Sequence, residues 1–314
     1  MPASVVLPSA LRAAGGRLWW STGDCSAGWL AVGLGRTHTL AGRYCHVWPA
    51  RNGFNVVLAD DSRVDDLDGG GLRIVAPGGR EAPLAHTPGL ITGDLAWSPD
   101  GAVVGACVST RTGRPVLDLL YPYSRREIPG ACQPAWTGAG HLVTTRPWPP
   151  RLVVAGRVVL SPKEAAALLP GTSVLARRVV NAVAAAGNRI AVGLTEFNPQ
   201  PSILFTSMLV VLSSDGKVVF RRRLGPHVPE TVGLAPDGTA VWYTNAGDGT
   251  ARLLRIRDGR RVSLIMAHRY TWSPDGRYLA AATDSGVLVS TWPGGRYVTA
   301  IPIAARDLSW SGGA

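Results

Sequence analysis

The sequence predicts an all-β protein, a β-propeller with seven blades, on three observations. One turn motif recurs after apolar or Trp-containing leads, its period is about 40 to 45 residues, and long stretches of helical periodicity are nearly absent. The motif is clearest in YTWSPDGRYLAAAT, residues 270–283. Pro274 presets φ for the first turn position, Asp275 bonds back to its own backbone, and Gly276 supplies the φ > 0 that closes the turn. Tyr278, Leu279 and the alanines then read as a strand.

Similar turns stand at LAWSPDG (95–101), PAWTGAG (134–140), GLAPDG (233–238) and LSWSGG (308–313). Weaker versions occur at HVWPARNG (46–53) and VAAAGNRIAV (183–192). The turn glycines Gly53, Gly101, Gly140, Gly187, Gly238, Gly276 and Gly313 are separated by 48, 39, 47, 51, 38 and 37 residues, and Gly16 precedes Gly53 by 37. A unit of several short strands at this period is a propeller blade, stable only when stacked on its neighbours.

The chain ends on RDLSWSGGA, a unit's first strand, and begins after a short lead on GRLWWSTGDCSAGWLAVGLGRTHTLAG, which reads as the remaining strands. Residues 14–41 and 307–314 are therefore expected to form one composite blade within a single 1–314 domain. Six blades is the alternative, because boundaries across 141–232 are weakly marked.

The WSPDG turn followed by RYLAAAT or AVVGACV resembles the repeat of the TolB-type, WD40-like propeller family. DLDGGGLRIV (66–75) resembles that family's later hairpin, where a D-x-D-G turn precedes the outer strand. The resemblance spans nearly the whole chain and implies the propeller fold. For function it implies a range, from assembly proteins and sensor ectodomains to propeller domains of some peptidases.

Four cysteines add a second clue. Cys45 and Cys132 each lie 8 residues before their turn glycines, while Cys25 and Cys107 lie 9 and 6 residues past theirs. Equivalent places in two blades point to disulfides Cys25–Cys45 and Cys107–Cys132, one of three connectivities, against the alternative of four buried free thiols. No C-x-x-C spacing suggests a metal. Paired cysteines place the protein outside the cytoplasm. MPASVVLPSALRAAGG lacks a basic n-region and an unbroken apolar core, so the expectation is a mature or excised ectodomain, with any signal or membrane anchor lying upstream; a cytoplasmic protein with free thiols is the alternative.

The net charge is +11, and Lys163 and Lys217 are the only lysines. With 38 Gly and 24 Pro, this arginine bias fits a GC-rich bacterial genome. The arginines also cluster, at Arg125-Arg126, Arg177-Arg178, Arg221-Arg222-Arg223 and Arg260-Arg261. They read either as a basic face for an anionic envelope ligand or acidic protein, or as separate solvated hairpins. No basic motif of a nucleic-acid module is present, so nucleic acid is not expected.

Trp48, Trp97, Trp136, Trp272 and Trp310 recur just before the turn and read as packing between blades. Trp148, in RPWPPRL, falls outside the repeat and is a partner-binding candidate, with a loop anchor as the plain alternative. Two insertions also depart from the repeat. SPKEAAALLPG (161–171) carries a capping box, Ser161 with Glu164, and predicts a helix over about 161–169. TEFNPQPSILFTSM (195–208) reads as a Pro-stiffened loop that exposes Phe197.

No H-E-x-x-H, G-x-S-x-G or P-loop motif occurs, and the histidines at 38, 46, 86, 141, 227 and 268 show no metal spacing. Asp60, Asp61, Asp65, Asp66 and Asp68 could suggest calcium, but the run lacks the EF-hand's twelfth-position Glu and reads as an acidic hairpin. The expectation is a monomeric, noncatalytic propeller without cofactor or metal. It binds a protein or anionic envelope ligand through Trp148, Phe197, Arg221, Arg222 and Arg223. A propeller lyase or hydrolase with a polar site at the central channel is the alternative, and a purely structural module is a third reading.

Overall fold

The computed structural model describes residues 4–53, 55–59, 72–75, 81–84, 87, 89–110, 112–146, 149–169, 177–197, 206–246 and 249–312. The acidic run 60–71, Trp148 and residues 198–205 of the second insertion lie outside the described residues.

A short helix, α1 (Ser9–Arg12), leads into β1 (Arg17–Ser21), β2 (Ala27–Ala31) and β3 (Arg36–Thr39). Next come β4 (His46–Pro49), β5 (Val56–Ala59), β6 (Leu72–Val75) and β7 (Glu81–Pro83), which form one antiparallel sheet. The third sheet has its first strand broken into β8 (Leu90–Ile91) and β9 (Ala96–Trp97), both paired with β10 (Val104–Ser109). It continues with β11 (Pro115–Tyr121) and β12 (Ser124–Pro129). The fourth sheet comprises β13 (Cys132–Trp136), β14 (Leu142–Arg146), β15 (Arg151–Val154) and β16 (Arg157–Leu160).

Helix α2 (Pro162–Leu168) follows, and its capping box is complete: Glu164 N–H donates to Ser161 Oγ, and Ser161 N–H donates to Glu164 Oε2. The fifth sheet is β17 (Arg177–Ala186), β18 (Arg189–Phe197), β19 (Thr206–Ser213) and β20 (Val218–Gly225). The sixth is β21 (Pro229–Leu234), β22 (Ala240–Asn245), β23 (Ala251–Arg255) and β24 (Arg261–Ser263). The seventh is β25 (Arg269–Trp272), β26 (Tyr278–Thr283), β27 (Gly286–Thr291) and β28 (Tyr297–Ile301). Finally β29 (Asp307–Ser311) pairs antiparallel with β1, in the order β29-β1-β2-β3. Seven meandering sheets, with the C-terminal strand completing the N-terminal one, make the fold a seven-bladed β-propeller; of the two blade counts considered, it is seven.

The turns explain the repeat. Gly53, Gly101, Gly140, Gly238 and Gly276 all have φ between 69° and 81°, and each N–H bonds the carbonyl three residues earlier. Asp100, Asp237 and Asp275 each accept the N–H two residues on, at 3.0–3.1 Å. In the first and last of these turns, Ser98 and Ser273 hydroxyls also cap Val103 and Tyr278. Middle strands such as Val56–Ala59 and Arg189–Phe197 are buried on both faces, which is why they read as near-continuous apolar runs.

The chain divides into two compact units. The first comprises Met1–Arg114, Asp118–Ile128 and Ala267–Ala314, and the second Pro115–Leu117 and Pro129–Met266. Within the first, Trp48 and Trp97 pack in the core between the β4–β7 sheet and the sheet that follows, and Trp97 Nε1 donates to Trp48 O at 2.6 Å. Trp310 packs with Leu7 and Leu11 of the N-terminal lead, and its Nε1 donates to Gly15 O. Within the second, Ala165, Leu168 and Leu169 of α2 and its C-cap join the core between the β13–β16 and β17–β20 sheets.

Candidate functional site

Cys25 follows β1, and Cys45 immediately precedes β4. They are joined as a disulfide, so the end of one sheet's second strand is tied to the entry of the next sheet's first strand. Tyr44 N–H donates to Cys25 O at 2.7 Å beside the bridge, and Tyr44 hydroxyl donates to Glu81 Oε1 at 2.7 Å. Cys107, on second strand β10, and Cys132, at the start of first strand β13, are also disulfide-bonded, and no cysteine is free. The protein thus carries two disulfides.

A polar cluster among the described residues of the first unit carries no sequence motif. It lies where first strands begin, at His46 of β4, Asp94 in the break before β9, Arg269 of β25 and Asp307 of β29. Asp307 is buried and accepts the N–H of Val47 at 3.1 Å and of Leu308 at 2.9 Å. His46 Nδ1 lies 3.6 Å from one of its oxygens, and Arg269 Nε lies 3.7 Å from the other. The same guanidinium reaches Asp94 at 2.6 Å. Burial alone would raise the Asp307 pKa, but the His46 hydrogen bond, the Arg269 charge and the Val47 N–H outweigh it and hold the carboxyl below its ordinary value. For Arg269, burial works toward a lower pKa, and Asp94 and Asp307 overcome it and push the value up. The cluster is thus a clasp of opposite charges in which each Asp307 oxygen also accepts a backbone N–H.

The second unit carries polar residues at matching places. Gln133, Asn181 and Glu230 each fall in a β-bulge of a first strand. Gln133 Nε2 donates to Asn181 O, and Asn181 Nδ2 donates to Thr195 Oγ1 at 3.0 Å. Thr195 Oγ1 in turn meets Ser207 Oγ at 2.9 Å. The chain signals all these positions: in each repeat a polar residue stands 6 to 8 residues before the turn glycine. They form no motif, because imidazole, carboxylate, amide and guanidinium side chains all hold the place.

The partner-binding candidates separate. Phe197 ends β18 opposite Arg177 and is half-buried, less open than its loop-like surroundings suggest. Arg221 and Arg223 are exposed on one face of edge strand β20, whereas Arg222 points to the other face and donates to Gly259 O at 2.8 Å. Two further arginine clusters are engaged: Arg125 reaches Asp118 and Glu127, and Arg178 pairs with Glu196 at 2.8 Å. Among the described residues, no group of three or more His, Cys, Asp or Glu could hold a metal ion, and no helix is long and apolar enough to cross a membrane.

A scan of protein-family models and a search of curated protein sequences each return no match. Solved structures do match. The β-propeller domain of Myceliophteria thermophila Cps50 (Swd1) is 13% identical, with a TM-score of 0.55 over 86% of this chain and 91% of that one. A functionally unknown protein from Desulfotomaculum acetoxidans is 13% identical, with a TM-score of 0.54 over 96% and 100%. Dihydro-heme d1 dehydrogenase NirN, in complex with DHE, is 12% identical, with a TM-score of 0.57 over 98% and 77%. At these identities the likeness is one of fold.

Proposed function

We propose that this chain is a noncatalytic binding propeller that works outside the cytoplasm, as the sensor or assembly portion of an exported or membrane-anchored protein of the TolB-like kind. The observation that carries the noncatalytic reading is the state of Asp307. A general acid or base needs a pKa near the working pH. Asp307 instead accepts two backbone N–H groups and is held ionised by His46 and Arg269. The best-placed acid–base cluster of the first unit therefore fastens strand entries together. Two disulfides support an oxidising compartment. The ligand best matched to a +11 chain is anionic.

The rival reading, a lyase or hydrolase, needs His46 and Asp307 to act on substrate. Envelope polymers and envelope proteins, prepared as separate pools, are titrated against the protein while small products are followed by mass spectrometry. Saturable binding without product release, unchanged in His46→Ala, supports the binding role. Time-dependent products that vanish in His46→Ala overturn it. Thiol trapping in fractionated cells tests location: blocked thiols outside the cytoplasm are expected, and four reactive thiols in a cytoplasmic pool refute it.

A further inference from the structure

We propose that the outer rim of the seam between the β17–β20 and β21–β24 sheets binds a soluble, linear phosphate-bearing polymer, an inference that rests on the anionic-ligand reading above. Arg222 stands across from Leu209, and Leu209 shares a core with Tyr243 and Leu254 of the neighbouring sheet. On that sheet Arg252 stands across from Tyr243, and Arg261 across from Leu254. Side chains opposite each other on adjacent strands share a face. Arg222, Arg252 and Arg261 therefore lie on the two facing surfaces of one seam, whose apolar part is already packed. The bond from Arg222 to Gly259 O fastens β20 to the β23–β24 turn, which adds exposed Arg257 and Arg260. Arg222 of one arginine cluster thereby joins arginines far away in sequence in one patch.

The patch lacks compensating charge. Asp258, the carboxylate of that turn, is bound by Arg255 through both oxygens, and its pKa is held down to about 2, chiefly by that bond. Among the described residues, Arg257, Arg260 and Arg261 have no carboxylate partner. Guanidinium forks match phosphate oxygens in pairs, and arginines on both sides of a seam suit a chain lying along it. A protein partner would want a free aromatic anchor at the centre of the patch, and Phe220, beside Arg222 on the same face, is already packed against the seam's core. A membrane surface would want Trp, Phe or Leu on the exposed face, whereas the exposed apolar residues on β20 are the short Val218 and Val219.

The test measures affinity for polyphosphate of defined length at several salt concentrations, using Arg257→Gln/Arg260→Gln/Arg261→Gln and a control, Arg36→Gln/Arg126→Gln/Arg296→Gln, that removes equal charge from the first unit. Circular dichroism checks that both variants remain folded. The rim variant is expected to lose about tenfold or more in affinity and to flatten the salt slope by about 2, near 0.7 per phosphate contact as for single strands; the control should lose less than threefold. Equal loss in the control would overturn the proposal, as would no binding of polyphosphate by the wild type. Tighter binding of poly-L-glutamate would reassign the rim to acidic protein, and tighter binding of phosphatidylglycerol vesicles to a membrane; either also overturns it. Thiol trapping and the product assay are untouched by these outcomes, so the broader reading stands or falls separately.

Discussion

Replacing Asp307 with asparagine tests whether the clasp holds the first-strand entries together. The two carboxylate oxygens accept different backbone donors, Leu308 N–H at 2.9 Å and Val47 N–H at 3.1 Å. An amide can satisfy one of them. Its NH2 then faces the other N–H in a site where Asp307 is 7% exposed. One buried donor left unpaired costs about 1–3 kcal/mol. Arg269 also loses one of its two carboxylates, although Asp94 at 2.6 Å remains. A total near 3 kcal/mol follows. For 314 residues at about 2.1 cal/mol/K each, the unfolding entropy is roughly 0.66 kcal/mol/K, so the melting temperature should fall by about 4–5 °C. The folded-state pKa of Asp307 lies below the unfolded value of about 3.9, so its contribution is present above that pH and is lost as pH falls through the folded value. The gap between wild type and variant should therefore close in acid. Calorimetry at pH 7 and pH 3 reads both quantities. A shift under 1 °C at pH 7, or a gap that persists unchanged at pH 3, would refute the clasp.

Asp118 is the opposite case: it is 1% exposed with neither oxygen hydrogen-bonded, and burial raises its pKa despite Arg125 at 3.7 Å. It therefore costs stability once the pH exceeds the unfolded value, and Asp118→Asn should gain about 1 kcal/mol at pH 7 but nothing at pH 3.5, read by urea unfolding. Cys25→Ser/Cys45→Ser opens a loop of 20 residues and should cost about 3 kcal/mol, with loss of the matching reductant sensitivity. Gly28 lies under the ring of its cross-strand partner Trp20, where an added Cβ would sit 2.6 Å from the indole and 2.2 Å from His38 O. Gly28→Ala should lower stability by about 1–3 kcal/mol, and a neutral result in thermal melts would contradict the packing.

The architecture was legible because each blade repeats one backbone requirement. A turn that needs φ > 0 forces glycine, and in three of these turns Asp100, Asp237 and Asp275 also accept the N–H two residues on, so the repeat leaves a trace in the sequence. The capping box at Ser161 was legible for the same local reason. The clasp was harder to see. His46, Arg269 and Asp307 meet only after distant strands pair, and any polar group can fill such a position, so no single residue type marks it. The arginine runs were visible as charge but not as a surface. Strand alternation turned Arg222 away from Arg221 and Arg223, and only the sheet-to-sheet hydrogen bond shows which cluster it joins.

The pairing of β29 with β1 also sets a schedule for synthesis. Ser311 and Arg17 are 294 residues apart. At about 5–20 residues per second, the ribosome takes roughly 15–60 s to make the strand that β1 needs. Through that interval Trp19 and Trp20 sit on an open strand edge, beside the lead that carries Leu7 and Leu11. The β1 segment thus stays sticky until β29 has been made, and anything that holds the chain unfolded meanwhile, a chaperone or an export channel, works with the fold's own timing.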